Sequence, residues 1–186
     1  KKDKEPNINP EVFEKLKTAF GKKPTPEEIF YYIYAVFYSN VYREKYKEFL
    51  KSDFPRVPFT KDYELFKHLA NLGKQLVDVH LLKAKELQNP TAKFEGAGDS
   101  KVEKLQYDER AKRVYINEAQ YFEGIMPEVW NYYIGGYQVL NKWLKDRKDR
   151  RLSAEDIKHY TRVSTALART IATQGEIDKL YSKAEE

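Results

Sequence analysis

The chain of 186 residues has no cysteine, so disulfides and thiolate-bound metals are excluded, and a cytoplasmic location is the natural expectation. Histidine is scarce: His68, His80 and His159 stand far apart without metal-ligand spacing, which assigns them structural or surface roles and leaves no metal site expected. No apolar run reaches the roughly 18 residues that span a bilayer, and the charged opening KKDKEPN is no signal peptide, so no membrane partner is expected. The first residue is not Met, which fits a segment of a longer chain as well as a processed one. The phosphate-cradling pattern G-x-x-x-x-G-K-[ST] is missing, and the pair Gly135-Gly136 lacks the third glycine of a dinucleotide fingerprint. Nucleotide hydrolysis within the chain is therefore not expected. There is no internal repeat and no sustained heptad register.

What is abundant is aromatic and basic. With 41% hydrophobic residues and no break in composition, the chain supports one well-cored domain over residues 1–186. Lys and Arg total 34 against 29 Asp and Glu, a net charge of +5 that permits nucleic-acid binding without demanding it.

The stretch Thr25 to Phe59 organises the rest. Thr25, Pro26 and Glu28 form a capping box with proline at the first helical position, so a helix starts at Pro26. Ile29, Phe30, Ile33, Phe37 and Val41 recur on one face, and Tyr31, Tyr32, Tyr34 and Tyr38 widen it; such tyrosines read as packing rather than base stacking. After a break at Ser39-Asn40, Tyr42, Tyr46, Phe49 and Leu50 face inward, with Arg43, Lys45, Lys47 and Lys51 outward. Pro55 and Pro58 then impose extended backbone around Arg56.

Before this stretch, Asn9 and Pro10 start a helix to Phe20 that Gly21 ends, following a loose Lys1 to Asn7. After it, Thr60 is placed to cap an amphipathic helix reaching Lys83, and the small residues of Asn89 to Ser100 predict a loop. KVEKLQYD, KRVYIN, AQYFEGI and EVWNYYIG read as an antiparallel meander that stops at Gly135-Gly136. A helix is expected to open at those glycines, and a last one to start at Ser153 with Ile157, Tyr160, Val163, Leu167 and Ile171 inward and Gly175 at its fraying or end. The fold class is α+β, mainly helical with a small antiparallel sheet of three or four strands in the second half: helices over residues 9–88, sheet over 101–134, C-terminal helices over 136–182.

Two places interleave cations with aromatics. In the first, Tyr42, Arg43, Lys51 and Arg56 form a candidate DNA-binding set. Arg56, stiffened by its prolines, suits a two-pronged contact with guanine or phosphate, or else pairs with Asp53 to hold the turn. In the second, Gly135, Gly136, Tyr137, Gln138, Lys142, Lys145, Arg147 and Lys148, followed by Arg150 and Arg151, would place phosphate at a helix N-terminus, with Gln138 reading adenine; the alternative is a solvated face offset by Asp146 and Asp149. Most other carboxylates sit beside Lys or Arg, as in REKYKE, and read as solvated ion pairs.

The sequences YYIYAVFYSNVYREKYKEFLKSDFPRVPF and VWNYYIGGYQVLNKWLKDRKDRRLSAEDIKHY closely resemble the C-terminal specificity domain of type ISP restriction-modification enzymes, over Asn9 to Ile177. In that family one polypeptide joins a nuclease, a helicase-like ATPase, an N6-adenine methyltransferase and this target recognition domain. The resemblance implies a module that binds double-stranded DNA, partners the methyltransferase domain of its own polypeptide, and carries no catalysis or cofactor itself. S-adenosylmethionine, ATP and Mg²⁺ would serve the parent enzyme elsewhere; the family's methyltransferase motif Asn-Pro-Pro-Tyr does not occur in this chain. A non-catalytic scaffold joining the parent's domains is the rival, and a small carboxylate-dependent nuclease a more distant one.

Overall fold

The computed structural model of the protein describes residues 5–184, so the first four residues of the segment expected to be loose lie outside the described residues. Two compact units are present: the described residues through Asp78 together with those from Ala172 onward, and Val79–Ile171.

The first unit holds α1 (Pro10–Phe20), α2 (Pro26–Tyr38), α3 (Asn40–Lys45), a 3₁₀ turn at Phe49–Lys51, nearly all of α4 (Tyr63–His80) and the end of α7 (Ala154–Ala184). α1 begins where Asn9 accepts the Glu11 N–H at 2.9 Å and ends at Gly21, whose φ of 68° favours glycine. Both halves of the α2 capping box form, with Glu28 N–H donating to Thr25 Oγ1 at 3.2 Å and Thr25 N–H to the Glu28 carboxylate at 2.8 Å. Burial acts to raise the Glu28 pKa, but Lys67, which pairs with it, and Thr25 together hold it below its ordinary value.

The tyrosines of α2 are packing groups. Tyr32 is wholly buried, stacked between Phe59 at 5.3 Å and Phe66 at 5.0 Å, and its hydroxyl donates to Pro58 O at 2.8 Å. Burial pushes its pKa up to about 12, so the ring stays neutral. α2 and α4 approach closely at Gly73, where a Cβ would stand 1.9 Å from Tyr31 O.

Two expectations change in this unit. The helix after Ser39 ends at Lys45 and resumes only as the 3₁₀ turn, so Lys51 belongs to a short turn rather than to one long face. α4 is capped by Asp62, whose carboxylate accepts from Glu64 and Leu65 N–H; Thr60 is instead buried and accepts from Asp62 N–H at 3.1 Å. A carboxylate two residues nearer the first turn is the better acceptor for those amides.

In the second unit the sheet has the antiparallel order β1-β4-β3-β2, from Lys93–Glu95, Tyr121–Glu123, Arg113–Tyr115 and Gln106–Asp108. The segment Asn89 to Ser100, expected as a loop, thus contains β1. Pairing with β4 and the Phe94–Phe122 ring contact at 4.8 Å override its turn-rich composition. α5 (Pro127–Trp130) stands where the fourth strand was expected, because Pro127 presets a first helical turn. Only Tyr133–Ile134 of that segment is strand, β5, and it pairs with β6 (Tyr137–Gln138) before α6 (Val139–Lys145).

α7 starts as the sequence implies: Ser153 Oγ accepts Asp156 N–H at 3.1 Å while Asp156 accepts from Ser153 N–H at 3.0 Å. Gly175 does not end it. Ile177, Tyr181 and Ala184 beyond the glycine are buried in the first unit's core, and their burial outweighs the cost of about 1 kcal/mol for a mid-helix glycine. The second unit's core gathers Val114, Ile116, Phe122, Ile125, Leu140 and Tyr160, with Tyr160 packed on Phe122 at 4.2 Å and Trp143 at 5.2 Å.

Candidate nucleic-acid interface

The first candidate set is brought together by α3 and the Pro55–Pro58 segment. Tyr42 is buried, and its hydroxyl donates to Arg56 O at 2.9 Å, so it fixes the backbone that presents Arg56 rather than offering its own ring. The Arg56 guanidinium is 83% exposed, lies 5.3 Å from the Phe49 ring and reaches Asp53 only at 3.9 Å. An exposed pair at that distance holds little, which leaves the guanidinium available to a ligand. Tyr42, Tyr46, Phe49, Arg56, Val57 and Pro58 line a shallow apolar cup of about 320 Å³ beside it. Arg43 donates to Phe37 O and lies over the Tyr38 ring at 4.7 Å, while Lys51 pairs with Glu48 at 2.7 Å.

α3 itself is held by a residue remote in sequence. Asp178 of α7 accepts from Ser39 Oγ at 2.8 Å, Asn40 N–H at 2.8 Å and Asn40 Nδ2 at 2.9 Å. Ser39 caps this six-residue helix, its Oγ accepting Tyr42 N–H at 3.2 Å, and the Asp178 carboxylate holds the capping residue and Asn40 in place.

The second set is arranged otherwise than the spacing implied. Gly135 and Gly136 do not open a helix. They form the turn of the β5–β6 hairpin, with φ of 56° and 83°, the pattern of a two-residue turn needing left-handed backbone at both positions. A Cβ on either would meet nothing within 4 Å, so conformation rather than close approach requires glycine there. The phosphate site expected at a helix N-terminus is thereby lost, because α6 begins three residues later, at Val139. Tyr137 is exposed on the hairpin together with Tyr133 and Ile134, giving an apolar tip.

Gln138 is committed internally: its Nε2 donates to Trp130 O at 2.7 Å and its Oε1 accepts from Asn141 at 2.9 Å. Lys142 binds Asp146 at 2.6 Å and lies 5.8 Å from the Tyr137 ring. Arg147 stacks on Trp143 at 3.5 Å and pairs with Asp156 at 3.1 Å; Arg151 pairs with Asp99 at 2.9 Å. The Ser153 N–H, with smaller help from the Ser153 hydroxyl and Arg147, holds the Asp156 pKa below its ordinary value. Lys145, Lys148 and Arg150 are exposed and, among the described residues, have no ion-pair partner.

Sequence reasoning passed over the outer face of β2 and β3. Lys104, Gln106, Asp108, Tyr115, Asn117 and Glu118 line an open groove of about 310 Å³ there. The signal was the alternation of polar with apolar residues from Lys104 to Asp108 in KVEKLQYD, which identifies the strand and also places Lys104, Gln106 and Asp108 on one face. Among the described residues no group of three or more His, Cys, Asp or Glu is placed to hold a metal ion, and no helix is long and apolar enough to cross a membrane.

The α+β chain carries exposed cations that have no ion-pair partner among the described residues, and a polar sheet face. The profile of the type ISP C-terminal specificity domain matches residues 1–174, and the chain belongs to that family, part of the type ISP restriction-modification enzymes. A comparison with curated proteins finds no match.

Solved structures share the fold. A nuclease-deletion mutant of the type ISP restriction-modification enzyme LlaGI, in complex with a DNA substrate mimic, is 20% identical with a TM-score of 0.63 over 83% of this chain and 14% of its own. The cryo-EM structure of a DrdV–DNA complex is 24% identical with a TM-score of 0.64, covering 95% and 20%. The ATP-dependent type ISP enzyme LlaBIII bound to DNA is 20% identical with a TM-score of 0.63, covering 93% and 12%. The chain thus spans a fifth or less of the length of these proteins.

Proposed function

We propose that this chain reads duplex DNA and directs the modification and restriction activities of a longer polypeptide to their site. The observation that carries the reading is the family match over residues 1–174, joined to a fold shared with proteins whose structures hold DNA. In this reading the chain is non-catalytic. An N6-adenine methyltransferase domain of the same polypeptide is its partner, and S-adenosylmethionine, ATP and Mg²⁺ serve the other domains. Arg56, Lys145, Lys148 and Arg150 supply phosphate contacts, being exposed cations that are unpaired or only weakly paired.

The test is duplex binding by the purified chain across a salt series. Each phosphate contact contributes about 0.9 to the slope of log affinity against log salt, so Lys145→Ala with Lys148→Ala should lower it by about two and weaken all sequences alike. A flat salt response of the wild-type chain would overturn the reading. The apolar hairpin tip of Tyr133, Ile134 and Tyr137 favours a second one, a scaffold that seats on a neighbouring domain and touches DNA without selectivity.

A further inference from the structure

The β2–β3 ribbon has the build of a surface that reads bases rather than phosphates. Side chains alternate across a strand. Tyr107, Val114, Phe122 and Phe94 lie in one row across the sheet, in or against the core, so the pairs Gln106–Tyr115 and Asp108–Arg113 occupy the opposite face. β2 is an edge strand, so no further strand of the sheet pairs beyond it.

The groove on this face mixes a cation, two amides, two carboxylates and a tyrosine. Carboxylates repel phosphate, so a backbone-gripping groove would not carry Asp108 and Glu118 beside Lys104, the one cation that lines it; Arg113 on the same face is held by Glu123. Base edges do call for such a mixture: an ammonium suits guanine N7 and O6, an amide suits adenine N6 and N7, and a carboxylate accepts from cytosine N4.

Some of these groups are fixed and others are not. Asn117 is fully engaged, donating to Lys101 O and Gln120 while accepting from Ala119 and Gln120 N–H, and Asp108 accepts Ala111 N–H to close the hairpin turn. Among the described residues the Lys104 ammonium, the Gln106 side-chain amide and the Glu118 carboxylate have no partner. That contrasts with the α6 region, where Gln138, Lys142, Arg147 and Arg151 are already bound within the chain.

Dimensions agree. Same-face neighbours on a strand are about 6.7 Å apart, close to two base-pair rises of about 3.4 Å, and the major groove, about 12 Å wide, admits a two-stranded ribbon. Arg110 and Lys112, exposed at the ribbon's turn and without an ion pair among the described residues, would meet the flanking phosphates.

We propose that the outer face of the β2–β3 ribbon enters the major groove and that Gln106, with Lys104 beside it, determines which bases are accepted. This rests on the DNA-reading function above and adds to it the residues that discriminate.

The experiment is selection from a pool of randomised duplexes by the purified chain and its Gln106→Ala, Lys104→Ala and Lys145→Ala variants, each checked by thermal melting. The wild type is expected to enrich one site. Gln106→Ala and Lys104→Ala should each relax the preference at one position by about tenfold while retaining the pool nearly as well, and Lys145→Ala should retain all sequences less without changing the preference. Should one strand variant unfold, the other decides alone. A wild type that selects a site, with strand variants that select the same site equally sharply, overturns this inference and leaves the DNA-reading function standing. A wild type that binds without preference overturns both.

Discussion

Replacing Gln138 with alanine separates two roles for one residue. Sequence spacing put its amide at adenine; the structure gives the amide two partners within the chain, Trp130 O at 2.7 Å and Asn141 at 2.9 Å. It stands at the entry to α6, where no side chain caps the helix, and so ties α5, the hairpin and α6 together. Each such bond contributes about 0.5 to 1.5 kcal/mol net, and truncation also leaves a partly buried carbonyl without its donor, so the loss should be about 2 kcal/mol. In a chain of this size that is roughly a 4 to 8 °C drop in Tm. Circular dichroism melting, with urea unfolding to check that the m-value is unchanged, measures it directly. Base preference on the randomised duplex pool should be unaltered. A variant that melts with the wild type yet loses discrimination at one base pair would refute the structural assignment and restore the reading role.

Three further outcomes follow from packing and titration. Gly73→Ala should destabilise the first unit by about 2 kcal/mol or more in chemical denaturation despite alanine's better helix propensity, because the new Cβ meets Tyr31 backbone at 1.9 Å; an unchanged midpoint would show that α2 and α4 can part without cost. Tyr160→Phe should be neutral or stabilising by up to about 1 kcal/mol, since the buried hydroxyl has no hydrogen-bond partner among the described residues, and a clear loss of Tm would reveal one. Burial lowers the His80 pKa below 6.5, so the unfolded chain takes up this proton first: the His80 contribution is complete above that pH and is lost as pH falls toward the folded value. His80→Gln, which replaces the ring whose Nε2 lies 2.9 Å from Thr170 Oγ1 with a polar group that does not titrate, should flatten the fall of Tm below pH 7 by the share His80 supplies, and an unaltered profile would contradict the assignment.

How far the fold was legible depended on how local its causes were. Asn9, Thr25, Glu28 and Ser153 act on amides within a few residues and Gly21 through its own φ, so their patterns located α1, α2 and the start of α7. β1 escaped because three residues set among Gly, Asn and Pro become a strand only through β4, and Gly175 misled because the apolar face that carries α7 past it is satisfied by distant residues. Ser39 marked the α3 cap locally, whereas the hold that Asp178 adds on Ser39 and Asn40 joins positions separated by more than half of the chain and leaves no local mark.

The site was legible as composition more than as geometry. The aromatic and basic run drew out Arg56 and its alternative partner Asp53, which the structure places 3.9 Å apart with the guanidinium exposed, but it also included Tyr42, which is buried. Around α6 the spacing could not reveal that Asp146, Asp156 and Asp99 engage Lys142, Arg147 and Arg151, nor that two glycines turn a hairpin instead of opening a helix. The polar face of β2 and β3 was visible as alternation, yet it drew no notice beside denser runs of charge.

The central claim, that this chain chooses the DNA sequence on which a restriction-modification enzyme acts, is tested most directly by exchange. The chain is grafted into a type ISP relative such as LlaBIII in place of the segment it superposes on with a TM-score of 0.63, and the modified sites are then mapped across a genome. The account predicts an active chimera whose modified sequence differs from the recipient's own and changes again at one position with Gln106→Ala. An active chimera that goes on modifying the recipient's original sequence would contradict it.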